Sequence, residues 1–399
     1  MGFLTANIDA KEILIILDIG SGSVGGAIVL SSHHKPPTIL YSTRSEILFR
    51  HEVQGSRLLS LMLRALSEVM LAITHEGFEK SGLTNKRSPI SEVFVSLSAP
   101  WTISKTTFLH FKNAKPTRIT ESVFETLLEE AGKTQDQSKL PKGSVEIEKK
   151  LVQSILNGYE TDTPFGKEAR EAEFTVLSSF SLPKITEKIS DIVTHLLHVK
   201  HLSFHSFSLL SFATIRDIFP TQDAFIFMDV SGEQTEVSVV KKNVLVETIT
   251  FPYGKNQLIR MLSTDAQTPS GSAESFIRLY HDKKGKGKLY DRAVEVCSAF
   301  KSDWLTHFLK SLATFSEELF LPRTLYLTAD TVILPLIKDA IAEGDFTKFT
   351  LASVPFETTI INENLLTPYV HVNPSLVVDP FLILEAIFAS HLRSGRIHT

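Results

Sequence analysis

The sequence predicts a duplicated α/β fold, two related lobes facing one cleft, with a smaller unit inserted in the first lobe. Three observations carry this. An apolar run ends in Asp18-Ile19-Gly20-Ser21-Gly22-Ser23, and another ends in Asp229-Val230-Ser231-Gly232-Glu233-Gln234-Thr235, 211 residues later. Each run leads through its turn into a further apolar stretch, which is the pattern of strand, small-residue turn, strand. Between the copies, a strand, strand, helix order interrupts the first lobe and is bounded by polar segments at 80–89 and 133–142.

The elements follow in order. Residues 13–17 form the first strand, the turn from Asp18 to Gly26 reverses the chain, and 27–30 return it. Over 56–74, Leu58, Leu59, Leu61, Met62, Leu66, Val69, Met70 and Ile73 fit a helical stripe rather than alternation. Residues 92–97 and 101–111 read as strands, 113–116 as a turn, and 121–132 as a helix that Thr120 can cap. Residues 145–156 and 173–181 read as extended and 186–199 as helical. The second copy opens with strands at 224–228 and 236–240, and Lys241-Lys242-Asn243 turns the chain into 244–251. A strand at 325–328 and helices through 336–342 and 380–392 complete the pattern.

Composition limits the function classes. Hydrophobic residues at 43% and charged residues at 22% exclude wholesale disorder and collagen. With a formal charge of −4, no global positive field recruits nucleic acid. One cysteine, Cys297, excludes an internal disulfide and a multi-cysteine zinc cage. No uninterrupted apolar run approaches the roughly 18 residues of a membrane span. Met1-Gly2 opens like a myristoylation signal, but Ala6 stands where Ser or Thr is required.

The turns carry the chemistry. Gly20-x-Gly22-x-x-Gly25 satisfies the dinucleotide fingerprint formally, yet that fingerprint needs a helix next, and residues 27–30 read as the return arm of a hairpin. In a hairpin, successive N–H groups with the Ser21 and Ser23 hydroxyls form a concave nest for phosphate. Asp18, at the strand end, suits a magnesium ion held through water, with Asp229, Gly232 and Thr235 facing it from the second copy. His195, His198, His201 and His205 have partly helical spacing, but residues 199–202 cross from helix to strand, so a shared metal face is not expected. Lys283, Lys284, Lys286 and Lys288, interrupted by Gly285 and Gly287, should lie exposed.

The turns at Asp18 and Asp229 resemble the two phosphate loops of the actin and heat-shock-chaperone superfamily of ATPases. Within it the chain resembles the branch of the cell-division protein FtsA and the type IV pilus assembly protein PilM, with PilM the better model. Residues 92–99 through 121–131 are similar to that branch's small SHS2 insert, and residues 159–174, with Asp162, Pro164 and Gly166, and Phe251-Pro252-Tyr253-Gly254 are similar as well. The resemblance implies a two-lobed actin-like (ribonuclease H-like, duplicated) α/β fold. Lobe I would take 1–88, 182–222 and 353–399, an SHS2-like insert 89–181 and lobe II 223–352. It further implies ATP and magnesium held by Asp18, Gly20, Ser21, Gly22, Ser23, Asp229, Gly232, Thr235 and Gly254. The implied role is a cytoplasmic scaffold beside a bacterial inner membrane, contacting membrane-anchored pilus or division proteins and self-associating. FtsA carries a carboxy-terminal membrane helix, whereas this chain stops soon after residues 380–392, so membrane attachment would come from a partner.

The departures from the family point toward weak nucleotide binding with negligible turnover. Ser231 replaces a glycine, and Glu233 enters the second loop, where a carboxylate about 5 Å from a phosphate oxygen is repelled by roughly 1 to 3 kcal/mol unless it points outward. Leu327-Thr328-Ala329-Asp330-Thr331 replaces a glycine-rich adenosine loop. Residues 207–213 offer only Ser208 and Ser211 where relatives carry an acid or amide that orients water. The rival reading is an active ATPase or a sugar-kinase-like enzyme of the same superfamily.

Overall fold

The computed structural model describes residues 11–32, 35–47, 55–83, 90–134, 140–199, 201–265, 270–316, 320–350 and 353–394. The readings made on Met1-Gly2 and on the last five residues fall outside the described residues. Lobe I begins with β1 (Glu12–Ile19), β2 (Ser23–Ser32) and β3 (Lys35–Glu46), followed by α1 (Ser56–Ala72), a π-helical turn and the short α2 (Phe78–Lys80). β4 (Ile90–Leu97) leads to β5 (Thr102–Arg118), α3 (Glu121–Thr134), β6 (Val145–Leu156), β7 (Tyr159–Glu160) and β8 (Glu168–Ser181). Next come α4 (Pro183–Leu197), β9 (Leu202–Ser206) and α5 (Phe207–Ile218). Lobe II follows with β10 (Phe225–Val230), β11 (Thr235–Lys241), β12 (Val244–Phe251), α6 (Lys255–Asp265), α7 (Ser270–Asp282), α8 (Lys288–Ser316), β13 (Thr324–Ala329), α9 (Leu334–Glu343) and β14 (Glu357–Ile360). The chain then runs through α10 (Glu363–Leu366) and β15 (His371–Val372) into α11 (Pro380–Arg393).

The duplication is visible in register. One sheet has the order β15-β3-β2-β1-β4-β9 and the other β12-β11-β10-β13-β14. Asp18 pairs with Gly25 across one hairpin and with Ser96 on its parallel neighbour; Asp229 pairs with Glu236 and with Thr328 in the same two relations. β1 and β10 are central strands buried on both faces, which explains their unbroken apolar runs.

Two expected boundaries move. The strand at 92–97 belongs to lobe I rather than to an insert starting at 89, because β4 pairs in parallel with β1 along its length. The insert is the separate sheet β5-β8-β6-β7 with α3 packed on it through Leu109, Phe124 and Phe174. Likewise β14 pairs with β13 and extends lobe II, so the return to lobe I comes after 353. The turn expected at 113–116 is a register shift within β5, opposite β8.

Helical periodicity placed α1 correctly: Leu58, Leu59, Met62, Leu66, Val69 and Met70 are buried against the sheet. The Thr120 hydroxyl accepts from Val123 N at 3.3 Å, as its capping position predicts. Lys242 and Asn243 both take positive φ in the hairpin turn. Lobe II is built on the 29-residue α8, which the sequence reading missed. Its Trp304 and Phe308 are fully buried, and Trp304 Nε1 donates to Thr235 Oγ1 at 3.0 Å. A second core is shared by both lobes: Phe207, Phe212 and Phe388 of lobe I pack with Phe225, Phe227 and Tyr326 of lobe II.

The four histidines do not converge. α4 ends at His198, His205 lies on β9, and no group of three metal-ligating side chains occurs among the described residues. His205 is a buried joint between lobe I and the insert. Its Nδ1 lies 2.5 Å from Glu148 Oε1 on β6, and its ring stacks on Phe94. Glu148 Oε2 also accepts from Ser206 N at 3.1 Å.

Trp304→Ala removes a fully buried indole and the donor to Thr235 Oγ1, so urea denaturation should show a loss of about 3–5 kcal/mol.

Candidate functional site

The two aspartate turns meet face to face. Both close the same way, Gly20 N donating to Ser23 O at 3.1 Å and Ser231 N to Gln234 O at 3.0 Å. Their tips touch: a Cβ built on Gly232 would lie 2.3 Å from Gly22 Cα, so neither position admits a side chain without separating the turns. The Ser21 hydroxyl lies 3.3 Å from that of Ser231 and accepts from Glu233 N at 2.9 Å. A cavity of about 200 Å³ remains beside this contact.

Six of the nine residues expected at a ligand line that cavity: Asp18, Gly20, Gly22, Ser23, Asp229 and Gly232. Three do not. Ser21 is spent on the loop-to-loop bond. Thr235 is fully buried, donating to Tyr253 O at 2.6 Å while accepting from Trp304. Gly254 packs under the second turn, where a Cβ would meet Ser231 O at 2.4 Å and Gly232 O at 2.5 Å. These same carbonyls accept from Lys255 N and Asn256 N, at 3.0 and 2.8 Å, so the first amides of α6 are already used.

Two cations that no motif announced sit inside. Arg44, near the end of β3, donates from Nη2 to Asp18 Oδ2 at 2.7 Å, from Nε to Asp379 Oδ2 at 2.8 Å and from Nη1 to Ser23 Oγ at 2.8 Å. Asp379 is also the N-cap of α11, and the Asp379-Pro380 pair was the one available signal for it. Lys255, whose side chain is 3% exposed, donates to Asp330 Oδ2 at 2.6 Å and to Glu46 Oε2 at 3.0 Å, joining lobe II to lobe I.

Acid groups crowd the same floor. Burial pushes Asp18 and Glu385 up, each raised further by neighbouring carboxylates, while Arg44 opposes the shift. Neither carboxylate oxygen of Glu385 has a hydrogen-bond partner among the described residues. Asp229, fully enclosed and accepting from Thr328 Oγ1 at 2.9 Å, is held well above the usual carboxylate range by burial. Glu236 is pushed to about 7 by burial, and the Ser208 hydroxyl donates to it at 2.7 Å across the lobe boundary.

Glu233 does not point at the cavity. Arg260 holds it with two bonds of 2.9 Å, and Asn256 adds a third. The adenosine-loop segment contributes Ala329, Asp330 and Thr331 to the lining, with Asp330 engaged by Lys255.

Magnesium and ATP do not fit this arrangement. The cavity is smaller than the roughly 300–1,000 Å³ of ordinary ligand sites. Its walls carry five acidic side chains, Asp18, Glu46, Asp229, Asp330 and Asp379, against two cations that are already paired, so the lining offers a triphosphate no free positive charge. The expected metal ligands are compromised as well. The Asp18 oxygen is taken by a guanidinium, and burial favours the protonated form of Asp229.

Two outcomes follow from this geometry. Gly232→Ala should cost about 1–3 kcal/mol of stability by forcing the two turns apart, read by urea denaturation. Because the Glu236 pKa is raised in the folded chain, its contribution is fullest below pH 4.5 and is lost as pH rises through 7. The decline is about 3 kcal/mol, and Glu236→Gln should flatten it in denaturation measured across that window.

No protein-family model matches the chain, and no curated protein matches its sequence. Solved structures do match. A chain of a PilM-PilN type IV pilus biogenesis complex is similar with a TM-score of 0.61 and 13% identity, over 96% of this chain and 98% of that one. The ethanolamine utilization protein EutJ from Carboxydothermus hydrogenoformans is similar with a TM-score of 0.47 and 10% identity, over 96% and 91%. Matched registers at Asp18 and Asp229 and a full-length likeness to the PilM chain establish the conclusion that this protein has the two-lobed actin-like fold.

Proposed function

We propose that the protein is a PilM-like scaffold at the cytoplasmic face of a bacterial inner membrane, working through protein contacts rather than nucleotide turnover. The observation that carries this reading is the full-length likeness to the PilM chain, insert included, in a complex whose name is type IV pilus biogenesis. The cleft supports it from the chemical side, since Arg44 occupies Asp18 and Asp379, and Lys255 occupies Asp330 and Glu46.

A place for a partner also supports it. Between the insert and α5 lies a groove of about 510 Å³, within the range of ordinary binding sites. Gln153, Ser154, Asp162 and Phe165 of the insert face Phe212 and Arg216 of α5 across it. β7 pairs with the last two residues of β6 and Thr161 N donates to Ser154 O, so among the described residues the edge of β6 before Ser154 has no paired strand and suits an added extended segment. We read the insert, one helix after the first of four strands, as SHS2-like. The occupant would be a cytoplasmic segment of a membrane-anchored pilus protein, which would also supply membrane attachment.

A photo-crosslinker replacing Phe165 in the source cells should trap a membrane protein, and Arg216→Glu should abolish the adduct. A chain that fractionates wholly away from membranes, with no adduct, would sink the reading. Steady-state phosphate release should equal that of buffer, and Asp18→Ala should change stability rather than a rate. A turnover of about one per second that Asp18→Ala abolishes would establish the ATPase reading instead.

A further inference from the structure

We infer that the chain closes its own interlobe cleft: Lys255 and Arg44 answer the carboxylates that a bound cation would otherwise answer, and the lobes stay shut without nucleotide. The inference goes beyond the scaffold reading, because a scaffold is compatible with either a loaded or an unloaded cleft.

Four observations converge on it. The tips of the two turns are in backbone contact at Gly22 and Gly232, which leaves no gap between them for a phosphate group. Several donors at the second turn are committed: Glu233 N donates to Ser21 Oγ, and Lys255 N and Asn256 N donate to the carbonyls of that turn. The guanidinium of Arg44 bridges Asp18 to Asp379 within lobe I, so a divalent cation at Asp18 would be met by a fixed positive charge. Lys255 is the bridge between lobes, its ammonium enclosed between Asp330 of lobe II and Glu46 of lobe I.

Burial decides how firmly this holds. Charge-assisted bonds are roughly twice as strong as neutral ones, and Lys255 makes two of them with 3% of its side chain exposed. Separating the lobes would strand that ammonium beside a single carboxylate. A nucleotide entering from solvent would have to break this bridge, part the two turns and bring polyanionic charge against five carboxylates. Arg44 is held by Asp18, Asp379 and Ser23, so it would turn to a phosphate only against those bonds.

The test uses the full chain in two measurements. Calorimetry with magnesium alone, MgADP and MgATP should give no saturable heat, meaning a Kd weaker than about 1 mM, or less than about 4 kcal/mol of binding. Hydrogen exchange should show both aspartate turns equally protected with and without about 1 mM MgATP. Lys255→Met should raise exchange at both turns about tenfold or more, the loss expected for a charged hydrogen bond. Lys255→Arg should retain most of the protection. Glu46→Gln, which alters a half-exposed partner and leaves Lys255 its second carboxylate, serves if Lys255→Met fails to fold and should raise exchange at the same turns by a smaller factor. A micromolar Kd for MgATP with added protection at the turns would overturn the inference. So would unchanged exchange at both turns in Glu46→Gln and Lys255→Met.

Discussion

The contact between Gly22 and Gly232 is the constraint around which the molecule is arranged. Two hairpins from sheets that share a five-strand order can approach this closely only because neither tip has a side chain. Once they touch, Ser21 finds Ser231 and Glu233 N, Gly254 must be bare to accept the second turn, and α6 begins where the carbonyls of that turn can cap it. The position of Lys255, at the first residue of α6, follows from the same contact.

The shared core behind the turns makes the arrangement stiff. Phe207 and Phe212 on α5 pack with strands of the opposite lobe, so the lobes meet across apolar surface as well as through the cleft. Interdigitated cores resist continuous deformation. Three of the buried acids have a local remedy. Asp18 faces Arg44, Asp229 accepts from Thr328, and Glu236 accepts from Ser208 while burial favours its protonated form.

Much of this was legible before any coordinates. Asp18 and Asp229, with their small-residue turns and flanking apolar runs, announced a duplicated lobe, because centrally buried strands and tight hairpins leave strong local signatures. The sheet membership of β4 and β14 was not legible. Strand pairing is non-local, and a short apolar strand reads the same in either sheet. Arg44 and Lys255 were missed for a related reason: their partners lie at Asp379 and Glu46, hundreds of residues away, and no spacing rule connects them. Glu233 was visible as an anomaly whose direction stayed open, inward or outward, and its partner Arg260 in the second turn of the next helix settles it outward. Sequence spacing does not encode side-chain orientation.

One helix touches both of the surfaces that matter. Phe212 on α5 lines the groove beside the insert, and Ser208, one helical turn earlier, holds Glu236 on the far lobe. Four residues of α-helix span about 6 Å, and a helix that short behaves as a rigid rod. Anything that pushes on Phe212 therefore moves Ser208 by a comparable amount, against an acid whose proton is lost near neutrality. The groove and the seam between the lobes are two ends of one lever.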